Sequence, residues 1–175
     1  DAHCSFDKGF DRKMLEAFKE TGDNVTMVPI MRNLWAFDWK CMKCGKKWYQ
    51  GPTPIKCQET NYKETGQQCD GKNFKRKMMW VGKERPQSVS YCFDSIPHFQ
   101  YFNEYTKRPE HVKDKEEKGL TETMSLQGSC FMCTREKYWE LGLCDEKLGN
   151  WGNQGIEVAV KTWLSGGRVL VNHKT

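Results

Sequence analysis

The chemically most specific residues in this 175-residue chain are four cysteines. Cys41-Met42-Lys43-Cys44 is a Cys-x2-Cys turn followed by Gly45; twelve residues separate Cys44 from Cys57, and eleven separate Cys57 from Cys69. A two-residue spacer lets two thiolates face one ion, and four thiolates together suit structural zinc. Neighbouring lysines favour the ionised thiolate. The second pair is not a compact Cys-x2-Cys, so four unrelated thiols in a loop remain the alternative. A four-thiolate shell leaves no open coordination position, so such a site is structural or recognition-related rather than catalytic. Few apolar residues surround these cysteines, and the segment is expected to order around its ion. A second Cys-x2-Cys, Cys130-Phe131-Met132-Cys133, has no partner pair nearby and reads as small apolar packing, as do Cys4, Cys92 and Cys144.

The elements that must carry these residues follow from hydrophobic period. Phe10, Met14 and Phe18 make one helical face, with Asp7 as a candidate N-cap and Gly22 as the stop. Residues 25–31 read as a strand, which Pro29 places at a sheet edge or strand end. Residues 40–75 are rich in Cys, Lys and Gly without helical period, and read as a small insert. Residues 78–81 then read as a strand returning to the main fold. Residues 88–93 suit a strand, and the charged stretch 107–119 suits an exposed, mobile loop. Thr134 caps a short helix through Leu141, ended by Gly142. Asn153 opens a second helix with Ile156, Val160, Trp163 and Leu164 as its apolar face, and 168–171 is a further strand.

Composition excludes several classes. Aromatics are plentiful and the apolar fraction is ordinary, which argues against disorder. No apolar run approaches the roughly 20 residues that span a bilayer. No basic-then-apolar leader is visible at the start, although a leader of a longer protein would lie upstream. Nine cysteines, an odd number, fit a reducing, cytoplasmic setting better than a disulfide framework. The net charge of +5 is uneven: residues 39–85 hold twelve Lys or Arg against four Asp or Glu. Such a field attracts phosphates, nucleic acid or acidic sugars, or is simply a solvated surface.

From Gly128 the sequence runs Gly128-Ser129-Cys130-Phe131-Met132, Tyr138-Trp139-Glu140-Leu141-Gly142, Cys144-Asp145-Glu146, Trp151-Gly152, and, after a helix, Trp163-Leu164-Ser165-Gly166-Gly167-Arg168-Val169. This order resembles the C-terminal catalytic half of GT-A glycosyltransferases, both the family 2 enzymes and the polypeptide N-acetylgalactosaminyltransferases, over residues 124–171. The resemblance implies an α/β fold: part of a mixed GT-A sheet with flanking helices, interrupted by a small zinc-ribbon-like insert. The implied organisation is a first part of the catalytic core at 1–38, a four-cysteine insert at 39–77, and the acceptor side of the core at 78–175. It also implies metal-dependent transfer of a sugar from a nucleotide sugar to a glycan or protein acceptor.

Asp1-Ala2-His3 is similar to the family's Asp-x-Asp or Asp-x-His element, whose two side chains hold Mn2+ (or Mg2+) beside the diphosphate. Residues i and i+2 of an extended segment point the same way, so Asp1 and His3 can meet one ion. The resemblance further implies a nucleotide-binding half before Asp1 and a third ligand, a His, just past Thr175, since His173 lies too close to Arg168. Gly128 and Ser129 match the loop that lets backbone approach the donor sugar. Trp151 offers a flat face to a sugar ring, or is a core tryptophan.

The family's Trp-Gly-x-Glu segment reads Trp151-Gly152-Asn153-Gln154 here, and Gln154 cannot act as a base. Glu157, about one helical turn on, is the nearest surviving carboxylate, or else a surface residue in a first helical turn. Two other readings stay open. One is a catalytically inactive relative, which Gln154 permits. The other is a zinc-ribbon nucleic-acid-binding module stacking bases on Trp48, Tyr49 and Phe74 beside Lys75, Arg76 and Lys77. That module leaves the patterned C-terminal segment unexplained, so nucleic acid is the less favoured partner.

Overall fold

The computed structural model describes residues 4–60, 62–148 and 152–175. They form a mixed α/β protein with three small sheets. In chain order the elements are α1 (Phe10–Thr21), β1 (Val25–Pro29), β2 (Leu34–Cys41), β3 (Lys47–Tyr49), β4 (Phe74–Gly82), β5 (Tyr91–Phe93), β6 (Phe99–Tyr101), α2 (Pro109–Lys118), β7 (Leu120–Glu122), α3 (Arg135–Glu140), α4 (Gln154–Leu164) and β8 (Arg168–Asn172). Residues 32–85 form one compact unit and the rest of the chain another. No helix among the described residues is long and apolar enough to cross a membrane.

The larger unit is built on a sheet of order β1-β8-β7, with β1 parallel and β7 antiparallel to the central β8. Both faces of this sheet are covered, which is why β1 and β8 read as continuous apolar runs rather than as alternating ones. Val25, Met27 and Leu170 pack on one side with Met14, Ala17 and Phe18 of α1. Val28, Val169 and Val171 pack on the other with Val158 and Ala159 of α4. Thr26 looks toward α4 as well, and its hydroxyl meets that of Thr162 at 2.8 Å. Pro29 closes β1, the edge strand.

Several expectations need correction. The charged stretch 107–119 is not a loop: Pro109 starts α2, Asp114 and Lys118 pair at i,i+4, and Gly119 (φ 65) ends it. Its scarcity of apolar residues hid it, since it buries only His111. The buried face of α4 is Gly155, Ile156, Glu157, Val158, Ala159 and Thr162, while Leu164 is 83% exposed. Asp7 does not cap α1 with its side chain; Gly9 stands at the cap, and Asp7 accepts from Phe10 N–H through its carbonyl at 3.1 Å. Only Tyr91–Phe93 of 88–93 is strand, because the Ser88 hydroxyl donates to the Ser90 carbonyl at 2.7 Å and folds the approach into a turn. Cys4 is exposed. Thr134 does cap α3, accepting from Lys137 N–H at 3.2 Å.

The smaller unit is an antiparallel sheet of order β3-β2-β4. Residues 78–81 are strand, as expected, but they belong to β4 and pair with β2 instead of returning to the main fold. The register from Leu34↔Gly82 to Cys41↔Phe74 explains why this unit extends beyond the expected 39–77 on both sides. One strand carries an extra residue between the Trp35 and Phe37 pairings, where Trp80 takes a left-handed conformation (φ 76).

Candidate metal centre and candidate acceptor site

Cys41 ends β2, Cys44 closes the turn after it, and Cys57 and Cys69 come from the irregular segment leading to β4. Backbone bonds fix three of the four positions: Gly45 N–H to the Cys41 carbonyl (2.9 Å), Cys57 N–H to the Gly71 carbonyl (2.8 Å) and Cys69 N–H to the Glu59 carbonyl (2.8 Å). The four sulfurs lie within 4.8 Å of one another. Sγ of Cys44 and Cys57 are 3.5 Å apart, and those of Cys41 and Cys69 4.0 Å. Four sulfurs placed around zinc at ~2.3 Å would stand about 3.8 Å apart at tetrahedral angles. The cluster therefore has the dimensions to hold a metal such as zinc. Cys41, Cys57 and Cys69 are fully buried, and Trp48, Tyr62 and Phe74 pack around them. Gly71 is backed so closely against the thiols that a Cβ there would lie 2.7 Å from Cys41 Sγ.

Ionisation within the cluster is lopsided. Burial pushes Cys57 up to about 12, reinforced by the thiols of Cys44, Cys41 and Cys69. Cys41 feels the same desolvation, yet hydrogen bonds from the backbone of Cys44 and Lys43 and from neighbouring thiols bring it down to about 7. Without a cation the Cys41 thiolate is readily formed while Cys57 and Cys69 resist a second charge; a divalent ion would remove that opposition.

In the larger unit, loop 126–129 lies against the first turn of α4. Their approach is close enough to require glycine: a Cβ on Gly155 would stand 1.9 Å from the Leu126 carbonyl oxygen. A Cβ on Gly128 would be 3.2 Å from both Gln154 Oε1 and Gly155 N. The fold thus brings Gly128 and Gln154 together. Ser129 follows in the same loop, its hydroxyl 3.1 Å from Met31 Sδ just beyond β1. Gln154 donates to Cys144 Sγ at 3.0 Å, tying α4 to the turn after α3. Cys144 adopts φ 63, and nothing in its sequence setting announced this role.

Glu157 is not a surface residue. Its carboxylate is 4% exposed, and Oε1 accepts from Asp145 N–H at 3.2 Å and from Lys161 Nζ at 2.6 Å. Asp1, His3 and Trp151 lie outside the described residues. Arg168 pairs with Glu122 at 2.8 Å, as a salt-bridge residue. His173 sits beside β7, its Nε2 2.8 Å from the Thr121 hydroxyl, with its ring centroid 5.9 Å from that of His111. Both nitrogens of buried His111 and Nδ1 of His173 lack a hydrogen-bond partner. At the far end of α4 an apolar hollow of about 440 Å³ is lined by Phe93, Phe102, Tyr105, Met124 and Trp163.

For the nucleic-acid alternative the smaller unit is unhelpful. Trp48 and Phe74 pack edge to face at 5.5 Å against the thiols, so neither presents a free ring to a base. Tyr49 lies on the opposite face of the sheet, beside Trp35.

No family model matches the chain. Over 44 residues, 25% of the chain, it is 41% identical to N-acetylgalactosaminyltransferase 6 of Drosophila melanogaster, of which that stretch is 7%. Over 46 residues, 26% of the chain, it is 39% identical to N-acetylgalactosaminyltransferase 7 of Homo sapiens, covering 7% of that protein. Over 48 residues, 27% of the chain, it is 38% identical to polypeptide N-acetylgalactosaminyltransferase 10 of Mus musculus, covering 8%. The matched stretch is thus less than a tenth of the length of each of these relatives. These short matches support a relation to glycosyltransferases.

Proposed function

We propose that this chain is a segment of a glycosyltransferase that moves a sugar from a nucleotide sugar to a glycan or protein acceptor. On this reading the sheet β1-β8-β7 is the acceptor side of a GT-A core, working in a cytoplasmic setting, and the smaller unit is an insert held by zinc. The observation that carries the proposal is the close junction between loop 126–129 and α4, which sets Gly128 against Gln154, with Ser129 next in the same loop. The partial identity to N-acetylgalactosaminyltransferases points the same way.

The roles follow from chemistry. A divalent cation, Mn2+ or Mg2+, supplies charge neutralisation at the departing diphosphate, and Asp1 and His3 would hold it. Gly128 and Ser129 border the donor sugar, and Trp151 offers a ring for stacking. Glu157 is the carboxylate available to take the acceptor proton. Lys161 and Asp145 N–H meet its Oε1 and hold the carboxylate in place. Gln154 orients a hydroxyl instead of deprotonating it.

The test is release of nucleoside diphosphate from a panel of nucleotide sugars in the presence of Mn2+, by this segment joined to the nucleotide-binding half that the proposal requires before Asp1. Glu157→Gln should lower kcat by roughly 10²-fold or more with KM little changed. Gln154→Ala should mainly raise KM. No release from any donor, or full activity in a variant lacking both Asp1 and His3 side chains, would sink the proposal.

A further inference from the structure

The three strands of the smaller unit have two unlike faces. Residues paired across an antiparallel ladder share a face, as do residues two apart along a strand. Cys41, Phe74, Trp39, Trp48 and Arg76 lie on the face that holds the thiol cluster. On the other, Lys40 pairs with Lys47 on one side and with Lys75 on the other. Three lysines therefore stand in one row across all three strands. In the next row on that face, Asp38 stands between Tyr49 and Lys77.

Like charges directly opposite one another on a sheet destabilise it. Lys40, Lys47, Lys75 and Lys77 are all exposed. Against them these strands offer a single carboxylate, Asp38, which is buried and 3.9 Å from Lys47. Among the described residues Lys40, Lys75 and Lys77 have no ion pair, whereas Lys43 and Lys46 off the row pair with Asp70 and Glu59. The row costs the sheet stability, and an anionic ligand would reverse that cost.

The aromatic residues choose among polyanions. Trp35 is stacked on Tyr49 at 5.1 Å, and Lys83 Nζ sits 4.3 Å from its ring centroid. Phe37 is engaged by Trp39 and by Arg76. Single-stranded nucleic acid gains much of its binding from bases stacked on free aromatic rings. Here the rings of Trp35, Tyr49, Phe37 and Trp39 are engaged by one another or by cations, while Trp80 is half exposed. What remains is an array of point charges, spaced roughly 5 Å across strands and roughly 7 Å along them. Lysine recognises carboxylate, sulfate or phosphate as a point charge without demanding a planar partner.

We infer that the Lys40–Lys47–Lys75–Lys77 face binds an acidic polysaccharide, a chain of sugar rings carrying carboxylate, sulfate or phosphate groups, and so presents an anionic glycan acceptor. The choice of an acceptor glycan rests on the glycosyltransferase reading; the polyanion face does not, and binding is measured without donor or turnover. The two readings can thus fail separately.

The experiment uses the whole chain loaded with zinc, titrated with polygalacturonate, heparin, neutral dextran and poly(dT) at 50 and 200 mM salt. Polygalacturonate and heparin should bind, weaken as salt rises, and lose at least roughly tenfold affinity in Lys40→Gln/Lys75→Gln/Lys77→Gln. That variant should melt at or above the wild-type temperature, because the repulsion has gone. Lys56→Gln/Lys63→Gln/Lys72→Gln removes as much charge from outside the strands and should change affinity less than about twofold. Equal losses in the two variants would overturn the assignment of the face. Tighter binding of poly(dT) than of either polysaccharide would replace the glycan by nucleic acid. Absence of binding to both acidic polysaccharides would make the row a solvated surface.

Discussion

Lowering the pH from 7.5 to 5 should weaken the larger unit, and His173→Gln should remove much of that effect. Burial holds His173 down at about 4, helped by the nearby His111 and the Lys115 charge. His111 is lowered too, first by burial and then by Lys115, with Asp114 and Glu110 opposing. The unfolded chain binds protons on these rings below about 6.5, whereas the native state refuses them until much lower pH. Stability is therefore fully present above about 6.5 and declines as pH falls, with the His173 share gone below about 4. The gap between 6.5 and about 4 corresponds to roughly 3.5 kcal/mol at ~1.4 kcal/mol per pH unit. The ring is partly exposed, and solvent screening reduces this to about 2 kcal/mol, of which roughly 1 kcal/mol appears by pH 5. Aspartates and glutamates titrate mostly below that window. The assay is urea unfolding followed by circular dichroism at 222 nm, which reports this unit because α1, α2, α3 and α4 belong to it. A wild-type midpoint unchanged between pH 7.5 and 5, or the same decline in His173→Gln, would refute the reasoning.

Three further outcomes are expected. Gly155→Ala forces a methyl group into the Leu126 carbonyl and should destabilise the same unit by about 3 kcal/mol, read as a lower urea midpoint at 222 nm. A strong chelator, or Cys57→Ser, should unfold the smaller unit, seen as a change in tryptophan fluorescence from Trp35, Trp39, Trp48 and Trp80 while the 222 nm signal holds. Thr134→Ala removes the side-chain acceptor of Lys137 N–H and should cost about 1 kcal/mol in the same urea titration.

The parts of the fold legible in the sequence were those with strong local signals. The four-residue repeat of Phe10, Met14 and Phe18 gave α1, and Gly22 ended it where expected. The spacing of Cys41, Cys44, Cys57 and Cys69 foretold sulfurs gathered at one place. Signals that depend on partners were hidden. The helix α2 has almost no apolar stripe and is held by its ends and one buried histidine. The face of α4 was misread because Gly155 and Glu157 are buried by a loop that approaches from far away in sequence. The lysine row could not be seen at all, since Lys40, Lys47 and Lys75 become neighbours only through strand register. Likewise His111 and His173 are 62 positions apart and meet only because α2 packs beside the β7–β8 pair.

The outer side of β1 carries one more consequence. Met27 exchanges both of its backbone bonds there with Met132, at 2.8 and 2.7 Å, and two residues later Pro29 has no N–H to give. An apolar border strand with its ladder groups bare would recruit a neighbouring molecule and seed aggregates. A two-bond clasp at its midpoint and an imino acid at its tip deny that template to a neighbouring molecule.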